Sequence, residues 1–512
     1  MSEKIQQPTC LRCARLEKDN QALRLRLQKL EQRLEKLTQG TKALEQRVDT
    51  QERKLNTNSS NSSKPPSADT PAQRAKNRNK RKAKRKRKST GKSPGGQPGH
   101  KKHERVLVPV EQVNELHVCK PECCAECGDK LEGEDPEPKR HQIQEIPPVE
   151  IHTTEYQLHS LPCQKCEHTT PAKLPQGVSN RAYGPRLIAF VALLCVKYRS
   201  SKRLTKEFMK DAFGLHISLG TVVNLSNVCR DALKEPVEAV KHHVAQQPFS
   251  FVDETGWKEG MSKHWLWVMV TSSVTLFIIR ANRAKKVAVE LLGEGYKGIV
   301  HSDRYGAYTW LGVERRQICW AHLIRDFTKM SESKDGLASV GQALLAHSKW
   351  VFLQWDRVRD GTTTRATLAK ELASSREAMK LLLEQGRDLG IGLSGMCQEM
   401  LKVYDAFWTF LSVEGVEPTN NTAERALRPS VIWRRLMQGG TQSRGGSLFV
   451  ERVMTATSTL KQQNRDVLEY LTQAVAGHLS GGQIPSLLPL HVVSTQYAPA
   501  AASQACDHAQ VA

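Results

Sequence analysis

The sequence predicts a multi-domain chain: an N-terminal coiled coil, a small cysteine-bearing domain, and an α/β core interrupted by a large, mostly helical insertion. Three observations carry this reading. Leucines recur every seven residues near the N-terminus, two Cys-x-x-Cys pairs follow, and later short apolar runs of strand type alternate with a helical pattern and stop at acids. At 512 residues the chain exceeds one ordinary domain.

The first element is the heptad run. Leu16, Leu23, Leu30, Leu37 and Leu44 form one seam, and Asn20, Leu27, Leu34, Thr41 and Val48 stand four positions further on. About five repeats with charged residues and Gln elsewhere predict a parallel coiled coil over residues 10–55, hence a homo-oligomer, with Asn20 favouring two strands. One long helix packed on its own protein is the alternative. Cys10 and Cys13 precede it without obvious partners and are left unassigned.

Residues 56–103 shift to Asn, Ser, Pro, Gly and basic residues. Such a stretch has almost nothing to bury and is expected to be a disordered basic linker until it meets DNA. Between Arg74 and Lys88, 11 of 15 residues are Lys or Arg, about half of the net charge of +23. Lys80, Arg81, Lys82, Lys84, Arg85, Lys86, Arg87 and Lys88 are the candidate phosphate contacts, because each phosphate neutralised releases a counterion. A solvated basic tail or a nuclear-address look-alike is the alternative. The basic run follows the heptads and is flanked by Pro and Gly, which argues against a basic-region zipper with its continuous helix.

Cys124, Cys127, Cys163 and Cys166 fall in residues 104–172. Two such pairs supply four thiolates, the make-up of a closed structural zinc site, so a zinc-binding domain is expected. The 35-residue gap is long for a simple finger, so the halves are expected to meet across a small sheet built from runs near 142–146 and 151–158. Cys119, Cys123, His117, His159 and His168 compete for ligation. The polar start and the absence of an apolar run of 18 residues, the longest being 187–196, predict an intracellular protein without membrane spans. There, 13 cysteines point to ligands and packing more than to disulfides.

Residues 180–245 read as helical. A helix around 203–209, a turn at Gly214 and a helix capped by Ser218 form a candidate helix-turn-helix, with simple packing equally open. Residues 246–475 form the core. Strand-like runs at 249–252, 265–270, 275–279 and 298–300, with a helix over 285–292, match the order of a ribonuclease-H-like fold. In that order Asp253 leaves the first strand and Asp303 the fourth. About 120 residues then intervene before Glu424, so a helical insertion is expected at about 325–415. Asn421 or Thr422 is expected to cap the helix that carries Glu424, with Arg428 on the same face. Residues 476–512 form a C-terminal tail, Ala-rich beyond about 496, with no role assigned.

Alone, an acid after an apolar run is more often a strand-end or cap residue than a ligand. Together, three acids at two strand ends and on a later helix suit a two-metal site that cuts phosphodiesters, where hard carboxylate oxygens hold Mg²⁺. Arg425 and Arg428 are candidates to contact phosphate or steady Glu424, an ion pair being the plainer use. Cys319 and His322, one turn apart, read as packing or DNA positioning in preference to metal binding. Of Trp257, Trp265, Trp267, Trp310 and Trp320, most read as packing, a minority as stacking on bases.

The chain resembles the insertion sequence 66 family of bacterial DDE transposases. The resemblance rests on Asn-Ser-Ser-Lys-Pro-Pro-Ser-Ala-Asp (61–69), Gly-Gly-Gln-Pro-Gly-His (95–100), the Cys pairs, the words around the three acids, Cys-Trp-Ala-His-Leu-Ile-Arg-Asp-Phe (319–327) and Gly-Gly-Thr-Gln-Ser-Arg-Gly-Gly (439–446). It implies that Asp253, Asp303 and Glu424 are the catalytic triad and hold Mg²⁺ or Mn²⁺, that the partners are double-stranded DNA at element ends and target, and that accessory proteins of the same element are candidate partners. It also implies a bacterial cytoplasmic, nucleoid-associated location. Arg304 replaces the Gly that often follows the second Asp, a change expected to act on the local turn or on phosphate. The competing readings are a non-enzymatic zipper and zinc DNA-binding regulator, a ribonuclease-H-like nuclease without strand transfer, and a decayed, inactive copy.

Overall fold

The computed structural model describes residues 18, 20, 21, 23–36, 38, 39, 51, 57–62, 69–87, 105–436 and 440–489. Cys10, Cys13, Leu16, Leu37, Leu44, Lys88, the stretch 88–104 and the tail from 490 lie outside the described residues. The described chain divides into two units, one drawing on the chain up to Ala83 with Ile318–Glu414, the other on Lys84–Gln317 with the chain from Gly415 onward.

Residues 23–36 are helical, and the seam positions Leu23, Leu27, Leu30 and Leu34 stand 56–66% exposed. Further on, Pro71–Arg87 is a helix (α1), where composition predicts an unstructured linker. The cause is local. Thr70 N donates to Gln73 Oε1 at 2.9 Å and Gln73 N to Thr70 Oγ1 at 3.3 Å, a capping box. Pro71 takes the first helical position, and the Ala, Arg, Lys and Gln that follow are strong helix formers.

In 105–172 the expected strands at 142–146 and 151–158 are not formed. Pro147 and Pro148 interrupt that stretch, and Pro cannot donate to a ladder. The strands are instead Ser160–Pro162 (β1) and Thr169–Pro171 (β2), antiparallel arms around Cys163 and Cys166.

Four helices follow: Pro185–Val196 (α2), Lys202–Phe213 (α3), Leu219–Ala232 (α4) and Lys234–Ala245 (α5). The apolar run 187–196 lies in α2, where Ile188, Ala189, Val191 and Ala192 are fully buried. Among the described residues no helix is long and apolar enough to cross a membrane. Helices α3 and α4 are joined by a short turn. Gly214 ends α3 in the left-handed region at φ 63°, and Ser218 caps α4 by accepting from Thr221 N at 3.0 Å.

The sheet comprises Phe249–Glu259 (β3), Ser262–Val270 (β4), Thr275–Arg280 (β5), Ile299–Ser302 (β6) and Arg316–Ile318 (β7), with Lys285–Leu292 (α6) crossing between β5 and β6. The order is β5-β4-β3-β6-β7, with β4 antiparallel and β6 parallel to β3. This mixed sheet is consistent with a ribonuclease-H-like core. One expectation is corrected: β3 does not end at Asp253 but runs on to Glu259, through a two-residue hairpin at Gly260, φ 56°. Pairing with all of β4 carries the strand across the polar Asp-Glu-Thr-Gly that breaks its apolar pattern.

The helical insertion contains Trp320–Ser331 (α7), Leu337–Arg359 (α8), Arg365–Glu371 (α9), Ala373–Asp388 (α10) and Ser394–Leu401 (α11). Its core is aromatic: Trp320 donates from Nε1 to Phe407 O at 2.7 Å and meets Trp408 edge-on at 5.0 Å. Helices α7 and α8 approach at Gly341, where a Cβ would lie 2.3 Å from Ser331 N.

The chain then returns to the sheet unit with Asn421–Leu436 (α12), the short strand Gly440–Thr441 (β8), Arg444–Gln462 (α13) and Val467–Ser480 (α14). Helix α13 closes the exposed edge of β5. Thr275 N, Phe277 N and Ile279 N donate to Thr459 Oγ1, Thr455 Oγ1 and Glu451 Oε1 at 3.1, 3.0 and 2.9 Å. The match is geometric, since four helical residues rise about 6 Å and two strand residues about 6.8 Å. An edge closed in this way cannot recruit another strand. Thr455→Val removes one acceptor while keeping the shape, and should cost about 1–3 kcal/mol because it leaves a buried N–H unmade. Urea unfolding checks this; an unchanged midpoint would mean that the contact carries no stability.

Candidate active site

The sheet has a gap beside Asp253. Along one edge β3 pairs with β6 only from Phe249 to Phe251 and with β8 only at Lys258 and Glu259. The carbonyls of Val252 and Gly256, four residues apart and so on the same edge, meet side chains instead. Asn420 Nδ2 donates to Val252 O at 2.8 Å, and Arg434 Nη1 donates to Gly256 O. Both donors belong to the α12 segment. Asn420, and not Asn421 or Thr422, stands at the helix start, its carbonyl accepting from Glu424 N at 3.1 Å. One residue thus anchors the turn that carries Glu424 to the backbone immediately before Asp253.

Asp303 follows β6 directly. Its Oδ1 accepts from Tyr305 N at 2.9 Å, so the acid makes its own turn, and Arg304 needs no left-handed backbone there. Asp253 and Glu254 point to opposite faces of β3. Glu254, its side chain 1% exposed, pairs with Arg283 and accepts from Tyr308 Oη at 2.7 Å. Arg283 also reaches Asp303 Oδ2 at 3.5 Å and lies over the Tyr305 ring at 3.7 Å.

These acids share one electrostatic neighbourhood. Burial, then the charges of Glu254, Asp303 and Glu424, push the Asp253 carboxyl well above its ordinary value. Burial also raises Glu254, against the pull of Arg283 and Tyr308. Crowded acids under mutual repulsion form a hard-oxygen set that a divalent cation would relieve, so the residues fit Mg²⁺ or Mn²⁺. One oxygen from each of Asp253, Asp303 and Glu424 does not, however, fall within a common 4.8 Å.

The cysteine pairs adopt one backbone pattern twice. Cys124 N donates to Asp129 O at 2.8 Å and Gly128 N to Cys124 O at 3.0 Å; Cys163 N donates to His168 O at 2.9 Å and Glu167 N to Cys163 O at 2.8 Å. Gly128 and Glu167 hold positive φ at the same step. Backbone N–H groups of Cys127 and Lys165 lead those that lower the Cys124 and Cys163 thiols, favouring thiolate. No three of the four knuckle sulfurs of Cys124, Cys127, Cys163 and Cys166 lie within 4.8 Å of one another.

Of the basic residues, Lys80 to Arg87 continue α1, and Arg425 and Arg428 are exposed on α12. Cys319 is buried at the start of α7, and His322 lies half-buried on its first turn. Trp257, Trp267 and Trp320 are buried packing residues, while Trp265 and Trp310 are half-buried. Sequence reasoning missed Glu254, Tyr308 and Asn420 as site residues, although all three stand inside the words around the acids. Arg283 and Arg434 lie outside those words and had no signal.

A central mixed sheet, with acids on its first strand, after its parallel neighbour and on a returning helix, defines a mixed α/β protein of ribonuclease-H-like strand order. A family model described as Transposase IS66 family matches residues 181–447, more than half of the chain. The chain belongs to the IS66 family of transposases. A second model, described as a family of unknown function (DUF6444), matches residues 8–106. The "Uncharacterized protein y4qI" of Sinorhizobium fredii (strain NBRC 101917 / NGR234) is 29% identical over 215 residues, which cover 38% of this chain and 39% of that protein.

Proposed function

We propose that this protein binds the ends of a mobile element and catalyses metal-dependent DNA strand cleavage and strand transfer. The observation that carries the reading is that the three acid-bearing segments adjoin: β6, which leads into Asp303, pairs with β3, and Asn420 ties the turn before Glu424 to Val252 O beside Asp253. These three would hold Mg²⁺ or Mn²⁺, which when bound supplies activation of the attacking oxygen and neutralisation of the leaving one. Asp253 is fixed by the paired strand, Asp303 by its own turn, and Glu424 through the bond from Asn420. Arg425 and Arg428, exposed on the same helix as Glu424, face phosphate, and the basic helix adds sequence-independent affinity for duplex DNA. Cleavage leaves a 3′-hydroxyl that attacks target DNA, so no Ser or Tyr nucleophile is required.

The leucine seam pairs two chains as a coiled coil, and accessory proteins of the element join the working assembly at the nucleoid of the bacterial cell. Cys124, Cys127, Cys163 and Cys166 hold one structural zinc, the two knuckles closing on it together. Purified protein is then expected to carry one zinc per chain by elemental analysis, lost in Cys124→Ser with faster amide exchange confined to 105–172. Metal-free protein with the same exchange would remove the zinc site.

The test of the function is a strand-transfer assay with a precut 3′-hydroxyl duplex carrying the sequences that flank the gene. Joining to target DNA in Mg²⁺ or Mn²⁺ supports the reading. Cutting without joining favours the nuclease, and binding without either favours the regulator.

A further inference from the structure

The segment before α1 contains two polar side chains that are almost inaccessible, Asn61 at 4% and Asp69 at 3% exposure. Burying such groups is costly unless their hydrogen bonds are made, and here they are made densely. Asp69 Oδ1 accepts from Ser59 N at 2.8 Å, its Oδ2 accepts from Ser59 Oγ at 2.5 Å and Asn77 Nδ2 at 3.2 Å, and its carbonyl accepts from Arg74 Nε at 2.9 Å. Asn61 Oδ1 accepts from Asn58 N, and Asn58 Oδ1 from Ser60 N, each at 2.8 Å. Asn and Asp side chains of this kind replace backbone turns, so the loop folds without apolar burial.

The knot ties two things together. Through Asp69, Asn77 and Arg74 it grips the first two turns of α1. Through Asn61 Nδ2, which donates to Glu332 Oε2 at 2.9 Å, it reaches the end of α7 in the helical insertion. The basic run begins inside this grip at Arg74 and continues along α1 beyond it.

We propose that residues 57–62 and 69–79 form a clasp that seats the foot of the basic helix on the helical insertion, so that Lys80 to Arg87 meet duplex DNA phosphates as a preset arm. This gives a role to part of the region matched by the family of unknown function. The DNA half of the inference rests on the transposase reading; the clasp does not.

The test is amide exchange and DNA affinity on the full chain, using wild type, Asp69→Ala and Glu332→Ala. Slow exchange across 57–62 and 69–79 is expected in wild type, lost in both stretches in Asp69→Ala while 318–414 stays protected. In Glu332→Ala the loss should fall mainly on 57–62. Affinity for a short duplex of arbitrary sequence should fall about tenfold in Asp69→Ala with every basic residue intact, because a preset arm is replaced by a free one. Wild-type exchange at the rate of an unfolded chain would overturn the clasp. Lost protection with unchanged affinity would overturn the arm. A wild type with no affinity for duplex DNA would count against the transposase reading and leave the clasp standing.

Discussion

Asp253→Asn is expected to lower strand cleavage and joining at least about a thousandfold, roughly 4 kcal/mol of transition-state stabilisation, while leaving DNA binding unchanged. The substitution keeps size and shape and removes one charge from a set held close to Glu254, Asp303 and Glu424. Without metal that charge is a burden, because burial and like charges both oppose it. The melting temperature in chelator should therefore stay the same or rise, a gain in stability at the cost of activity. Parallel melting and strand-transfer assays separate the possibilities. Retained activity would return the acids to a structural role and favour the DNA-binding regulator. A large fall in melting temperature would mean that Asp253 is a framework residue.

The sheet was legible because its strands are apolar runs of strand length in a telling order. Helix α6 matches its expected span, 285–292, and the strands at 265–270 and 275–279 lengthen by only a few residues. What local pattern could not show is what distant partners impose. Strand β3 passes through Asp253 because β4 pairs with it from Phe251 to Glu259, and because Asn420 and Arg434, far along the chain, take the carbonyls that no strand pairs. The same holds for Thr455 and Thr459, ordinary helix residues in sequence that become acceptors for an edge strand. At α1 a capping box and a polar knot do what apolar burial does elsewhere, and neither shows in composition. The words around the acids were informative beyond the acids themselves, since Glu254, Tyr308 and Asn420 inside them support the site.

Glu254→Ala should be the most destabilising single change near the site. It removes a carboxylate 1% exposed and leaves Arg283 and the Tyr308 hydroxyl without the group that pairs them. Breaking a buried pair from one side costs about 3–5 kcal/mol, whereas the bond to Tyr308 alone, removed by Tyr308→Phe, accounts for about 1.5–3 kcal/mol. The change also has a functional arm. Arg283 already lies 3.5 Å from Asp303 Oδ2, and with Glu254 gone its charge has Asp303 as the nearest acid. An arginine drawn onto Asp303 competes with a divalent cation for the same oxygen. Glu254→Ala should therefore weaken Mn²⁺ binding, measured by titration calorimetry on the folded variant at low temperature, and the double variant Glu254→Ala, Arg283→Ala should regain it. Restored binding in the double variant places Arg283 as the group that the strand must hold away from Asp303. Binding equally weak in both would mean that Glu254 acts on the metal site directly, through the shape of β3.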